Sequence, residues 1–221
     1  MSSKEVLTEE TKELLYKYFD AANQLYGIIP LYKLLKIFNS HNQPITEEQF
    51  LEFADNIDLS SKHYDIIGAD EMYDNISDVK PINRELVAEY LYMVDDDSYY
   101  ELKEAQIGNT FYVPPKEKFL RYADELYFEK TLEFLSLRSF LRNLGYLSKE
   151  KADDIADEIQ LISRIDNDND IEFMVDSAIS MGVNLDNPSI REEFIILCME
   201  VNANVRKHIY RGHTYKEIMC N

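Results

Sequence analysis

Backbone breakers are scarce in this chain, with six glycines and six prolines in 221 residues. Sandwiches and barrels spend Gly and Pro at every turn, so a supply this small favours helices over a turn-rich β architecture. The apolar pattern agrees. Leu14, Leu15, Tyr18, Ala22 and Leu25 recur at helical spacing after Thr8, a residue suited to capping. Gly27 is placed to end that helix, because glycine adopts the left-handed cap without a Cβ clash. Pro30 suits the first turn of a second helix, Leu31 to Asn39. After turn chemistry at residues 39–44, Thr46-Glu47-Glu48-Gln49 has capping-box spacing. It opens a third helix to about Ile57, with Phe50, Phe53, Ala54 and Ile57 inward.

Two β-prone pieces, Tyr64 to Ile67 and Glu71 to Ile76, flank Gly68-Ala69-Asp70 and read as a hairpin. Three helices followed by a hairpin is the order of a winged helix. A fourth helix is expected from Arg84 to about Val94, stopped by Asp95-Asp96-Asp97-Ser98. Phe111-Tyr112-Val113 is extended, as the following Pro114-Pro115 requires, and marks a module boundary. Helices then run from Lys116 to about Phe134, from Leu135 to Leu144, from Ser148 to about Ile162, from Ile171 to Met181 and from Ile190 to about Tyr210. Ser189 to Glu192 and Thr214 to Glu217 repeat the capping-box spacing. The expected fold is mainly α: an acidic winged-helix-like N-terminal module with a short β-hairpin over residues 1–110, followed by an α-helical C-terminal module over residues 111–221.

Charge constrains the partners. The formal net charge is −19, and residues 45–105 hold seventeen Asp or Glu against four Lys or Arg. Residues 1–44 hold five of each sign. The proposed third helix carries Glu47, Glu48, Glu52 and Asp55 and no Lys or Arg. A DNA reader needs cations at that position, both for phosphates and for guanine edges. Nucleic acid is therefore disfavoured as a partner and a basic protein is favoured. No apolar run reaches the ~18 residues of a membrane span. The start, Met1-Ser2-Ser3-Lys4-Glu5, lacks an apolar signal core. The expected location is the cytoplasm.

Motifs that carry chemistry are few. Asp166-Asn167-Asp168-Asn169-Asp170 resembles a calcium loop, but Ile171 and Ser177 stand where an EF-hand needs Gly and Glu. Cys198, His208, His213 and Cys220 have the residue types of a zinc site without its close Cys pair. Cys198 lies in an apolar run and reads as a small buried hydrophobe. No nucleophile elbow, phosphate loop, dinucleotide fingerprint or metalloprotease motif occurs, so neither an enzyme nor a cofactor is expected. The sixteen tyrosines and eleven phenylalanines fall at core spacing.

Three stretches carry a family resemblance. They are Leu25-Tyr26-Gly27-Ile28-Ile29-Pro30-Leu31, Tyr112-Val113-Pro114 with Phe119-Leu120-Arg121-Tyr122-Ala123-Asp124, and Asn204-Val205-Arg206 with Arg211-Gly212-His213-Thr214. Through them the chain resembles uncharacterised helical proteins, mostly of Gram-positive bacteria, that often end in a SEC-C zinc motif. That cysteine-rich motif is absent here, so the resemblance implies a bacterial helical protein and neither a metal nor a reaction.

The leading expectation is a non-enzymatic interaction module. Its acidic face, Glu47, Glu48, Glu52, Asp55, Asp70, Glu71, Asp74 and Asp78, would meet a basic protein. In a sharper form those carboxylates mimic nucleic acid. The alternatives are a winged-helix DNA regulator and a small-anion binder or enzyme at the basic cluster Arg206, Lys207, Arg211 and His213. That cluster also has a purely structural reading, as a helix-turn-helix joint. Oligomeric state is not legible.

Overall fold

Helix α1 (Glu9–Tyr26) starts at Thr8, whose hydroxyl accepts a hydrogen bond from the Thr11 amide at 3.2 Å in the computed structural model. The structure describes residues 6–68, 80–93, 97–165 and 171–220. Gly27, at φ 67°, closes the helix and donates its N–H to the Asn23 carbonyl. The chain reverses into β1 (Ile28–Pro30) and α2 (Leu31–His41). The capping box at Thr46 forms as expected: Thr46 Oγ accepts from the Gln49 amide, and Gln49 reaches back to the Thr46 amide at 2.9 Å. It opens α3 (Glu47–Asp55).

Strand β2 (Tyr64–Ile67) occupies the first half of the expected hairpin. The second half, Glu71 to Ile76, lies outside the described residues. The partner of β2 is instead β3 (Glu85–Ala88), which follows a 3-10 turn at Pro81–Asn83. A helix was expected there, so this is a correction. Strand β3 pairs antiparallel with β1 as well as β2, giving the order β1-β3-β2 with Leu86 opposite both Ile29 and Ile66. Strand β3 has hydrogen-bonding neighbours on both edges. Leu86 and Val87 are buried. Long-range pairing with full burial overrides the local helical spacing of Leu86, Val87, Tyr90 and Leu91. Only α4 (Tyr90–Met93) survives of the expected helix. It is followed by α5 (Asp97–Ala105), where no helix was expected.

The expected helix from Lys116 to Phe134 is also corrected. It is α6 (Lys116–Phe119), a 3-10 turn at Leu120–Ala123, a connecting stretch, and then α7 (Leu132–Asn143) capped by Thr131. The reason is that its apolar residues serve two cores. Phe119 and Tyr122 pack with Tyr18, Tyr26, Leu34 and Phe38, while Phe134 packs with Leu137, Ile155, Ile159 and Phe194. The chain accordingly forms two compact units, Met1–Ile107 with Phe111–Tyr127, and Gly108–Thr110 with Phe128–Asn221. The expected modules divide at residue 110, whereas residues 111–127 pack with the first compact unit.

The second unit is helical among its described residues: α7, α8 (Lys149–Ile165), α9 (Ile171–Ser180), α10 (Pro188–Asn204) and α11 (Tyr215–Met219). Asn187 rather than Ser189 caps α10. Cys198 is fully buried in this core, and burial pushes its thiol up to about 12. Asp166 to Asp170 lie outside the described residues. No helix among the described residues is long and apolar enough to cross a membrane.

Candidate functional site

Helix α3 holds its aromatic residues, Phe50 and Phe53, against α1, so its carboxylates face outward. Phe53 stacks edge-on with Tyr16 at 4.9 Å, and Phe19 lies 5.5 Å from Phe50. Glu47, Glu48, Glu52 and Asp55 are all exposed. Asp70, Glu71, Asp74 and Asp78, the other half of the expected acidic face, lie outside the described residues. The four α3 acids are not equivalent. Asp55 accepts a hydrogen bond from Arg84 Nη2 at 2.5 Å, so it faces a cation. Glu47 makes no ion pair among the described residues.

Beside α3 runs an open cleft of about 910 Å³. Its walls are the first turns of α1 and the outer side of α3. Leu7, Tyr16, Pro44 and Phe53 supply apolar surface, and Glu9, Glu13, Glu48 and Glu52 supply four carboxylates. Among the described residues one cation, Lys12, lines it as well, and it pairs with Glu9 at 2.7 Å. Glu13 makes no ion pair among the described residues. Glu9 and Glu13 were missed by reading the sequence alone. Residues 1–44 balance to zero charge, and only packing of α1 against α3 places these two acids beside the acidic helix.

The basic cluster of the second unit is built differently. Helix α10 ends at Asn204, with Val205 as its cap, so Arg206 and Lys207 lie beyond the helix and not in its last turns as expected. They form one side of a tight reversal, with an antiparallel bridge between Arg206 and Thr214. Gly212 returns its N–H to the Lys207 carbonyl at 2.9 Å. Two adjacent residues adopt the left-handed region, Arg211 at φ 49° and Gly212 at φ 83°. An arginine pays a steric penalty there. The Arg211 Nη1 to Asn109 carbonyl bond, 2.9 Å, helps hold it.

Arg206 is only 8% exposed, and its fork is engaged on three sides. Nε donates to Glu129 at 2.6 Å, Nη1 to Glu217 and to the Gly212 carbonyl, and Nη2 to Glu217 at 3.2 Å. Glu217 also closes the capping box at Thr214. Lys207 is fully buried, and His213 lies 3.4 Å from Glu217. The arrangement ties three chain segments together with opposed charges. Its chemistry is that of a joint, with the guanidinium directed inward.

Glu217 gives a pH signature. Burial raises its carboxyl pKa, but the Arg206 hydrogen bond, the Thr214 amide and the charges of Arg206 and His213 outweigh this and hold it below the usual carboxylate value. A depressed pKa adds stability above the unfolded-state value, and that stability is lost as pH falls through the folded-state value. The urea midpoint of the second unit is therefore expected to fall on acidification from pH ~6 to ~3. Glu217→Gln should be less stable near neutrality and show a flatter acid limb. Parallel acid limbs in the two proteins would refute the assignment.

Among the described residues no group of three or more His, Cys, Asp or Glu is arranged to hold a metal ion. No family model, curated protein or solved structure matches the chain significantly.

Proposed function

We propose that the chain is a non-enzymatic protein-interaction module of bacterial type, acting in the cytoplasm, whose acidic α1–α3 cleft receives a basic segment of a partner protein. The observation that carries the reading is the pairing of carboxylate walls with an apolar floor. A purely solvated acidic helix would have no such floor. A cleft of about 910 Å³ beside a nine-residue helix suits a short amphipathic segment, apolar residues down and cations to the walls.

The unit's order of helix, strand, two helices and two strands, with sheet order β1-β3-β2, supports the winged-helix-like description. In a DNA-binding member α3 would be the reading helix. Here it carries four acids and no Lys or Arg. Phosphate contacts would meet repulsion where they need attraction. The anion-binding reading at Arg206, Lys207, Arg211 and His213 is weaker, because the Arg206 fork is already engaged.

The test uses a synthetic lysine- and leucine-bearing amphipathic peptide and fluorescence anisotropy. Binding is expected to weaken roughly tenfold or more from low to high salt and to be lost in Glu13→Lys/Glu52→Lys. Affinity indifferent to salt, or tight binding of random duplex DNA at low salt, would overturn the reading.

A further inference from the structure

In a chain with 42 acidic residues, positions 21–46 contain none. That stretch includes all of α2, whose outer side presents Tyr32, Lys33 and Lys36. The extended residues before α6 run alongside. Lys33 Nζ sits 5.5 Å over the Phe111 ring, Lys118 Nζ 5.8 Å over the Tyr112 ring and Lys36 Nζ 5.9 Å over the Tyr32 ring. Lys116 and Arg121 are two further cations of the 109–123 segment, in which Glu117 is the one acid. Among the described residues Lys33, Lys36, Lys116 and Arg121 make no ion pair. Tyr32 and Val113, 43% and 40% exposed, give the face an apolar part.

This face and the acidic cleft lie on opposite flanks of α1. Tyr16 meets Phe53 of α3, whereas Tyr18 meets Phe38 of α2 and Phe119 of α6. Two residues along a helix turn by roughly 200°. One flank is therefore anionic around an apolar floor, and the other cationic around exposed aromatic and aliphatic side chains. The ammonium groups sit over the rings, and cation–π attraction restrains them before any partner arrives.

We propose that the partner fitted to the α2 and 111–121 face is the acidic cleft of a second copy of this chain, docked head to tail. The inference rests on the cleft reading above. Complementarity of sign between two surfaces of one molecule carries it. A two-fold pair cannot close both contacts when the surfaces lie on opposite flanks, so the contact is heterologous and leaves one face open on each end. The net charge of −19 opposes assembly at long range, and salt near physiological strength screens that repulsion beyond ~8 Å.

Sedimentation velocity of the full chain at physiological ionic strength tests this. The wild type is expected to show a sedimentation coefficient that climbs with concentration. Lys33→Glu/Lys36→Glu and Glu13→Lys/Glu52→Lys should each stay monomeric, since each sets like charge against like. Circular dichroism should be unchanged, because all four side chains are on the surface. Mixing the two variants should restore assembly, because both contacts regain opposite signs. A wild type that stays monomeric, association that survives either double substitution, or a mixture that fails to reassemble overturns the proposal. So does a monomeric wild type whose α2 face binds an acidic peptide or a single-stranded oligonucleotide and loses it in Lys33→Glu/Lys36→Glu. Binding of the basic amphipathic peptide by a monomeric wild type would leave the cleft reading standing while this one falls. Loss of neither assembly nor peptide binding in Glu13→Lys/Glu52→Lys would sink both.

Discussion

Replacing Phe119 by Ala should destabilise the first unit by about 3–5 kcal/mol, the range for removing a fully buried phenylalanine. The Phe119 side chain has no exposed surface, and its ring lies 5.0 Å from Tyr18, 5.8 Å from His41 and 6.3 Å from Tyr26. Those three residues belong to α1 and α2, far earlier in the chain. The cavity left behind would open between them, and the aromatic neighbours have little freedom to close it. Hydrogen exchange measured residue by residue gives the decisive readout. Protection should fall across α1, α2 and β3, and hold in α8 and α10. Losses concentrated in α8 and α10 would mean that residues 111–127 belong to the second unit after all.

The second large effect is expected in the other unit. Arg206→Ala removes the group that joins Glu129, Glu217 and the Gly212 carbonyl. Breaking one side of a buried ion pair costs about 3–5 kcal/mol, because the remaining charge stays desolvated. Glu217 is 39% exposed and Glu129 26%, so solvent recovers part of that cost, and about 2–4 kcal/mol is expected. Arg206→Lys serves as the control. A lysine restores charge but cannot make the forked contacts, and it should recover only part of the loss. Denaturant midpoints of the three proteins decide it. If Arg206→Ala unfolds at the wild-type midpoint, the cluster is not a joint, and an inward role for the guanidinium is wrong.

Helix ends and surface charges show where sequence reading succeeds and fails. Thr8, Thr46 and Thr214 were legible as helix starts because the cap and its target amide are three residues apart. Gly27 was legible as a stop for the same local reason. The acid content of α3 was legible outright. The acidic cleft was legible only in half, since Glu9 and Glu13 gain their meaning from a neighbour more than thirty residues away. The cationic face left a trace that was passed over: an acid-free stretch from 21 to 46 in a strongly acidic chain.

What the sequence settled by itself is what forms within one or two helical turns: where the threonine-capped helices α1, α3 and α11 begin, and that the third helix is anionic. Tertiary structure alone decided the rest. Residues 85–88 are a strand because β1 and β2 offer their hydrogen-bonding edges from either side, and no local preference encodes an edge supplied from elsewhere. The run from 116 to 134 is not one helix, and its aromatic residues are divided between two cores, Phe119 in the first and Phe134 in the second. Helical spacing records only that a side chain is buried. The partner that buries it is fixed by the closure of the whole chain.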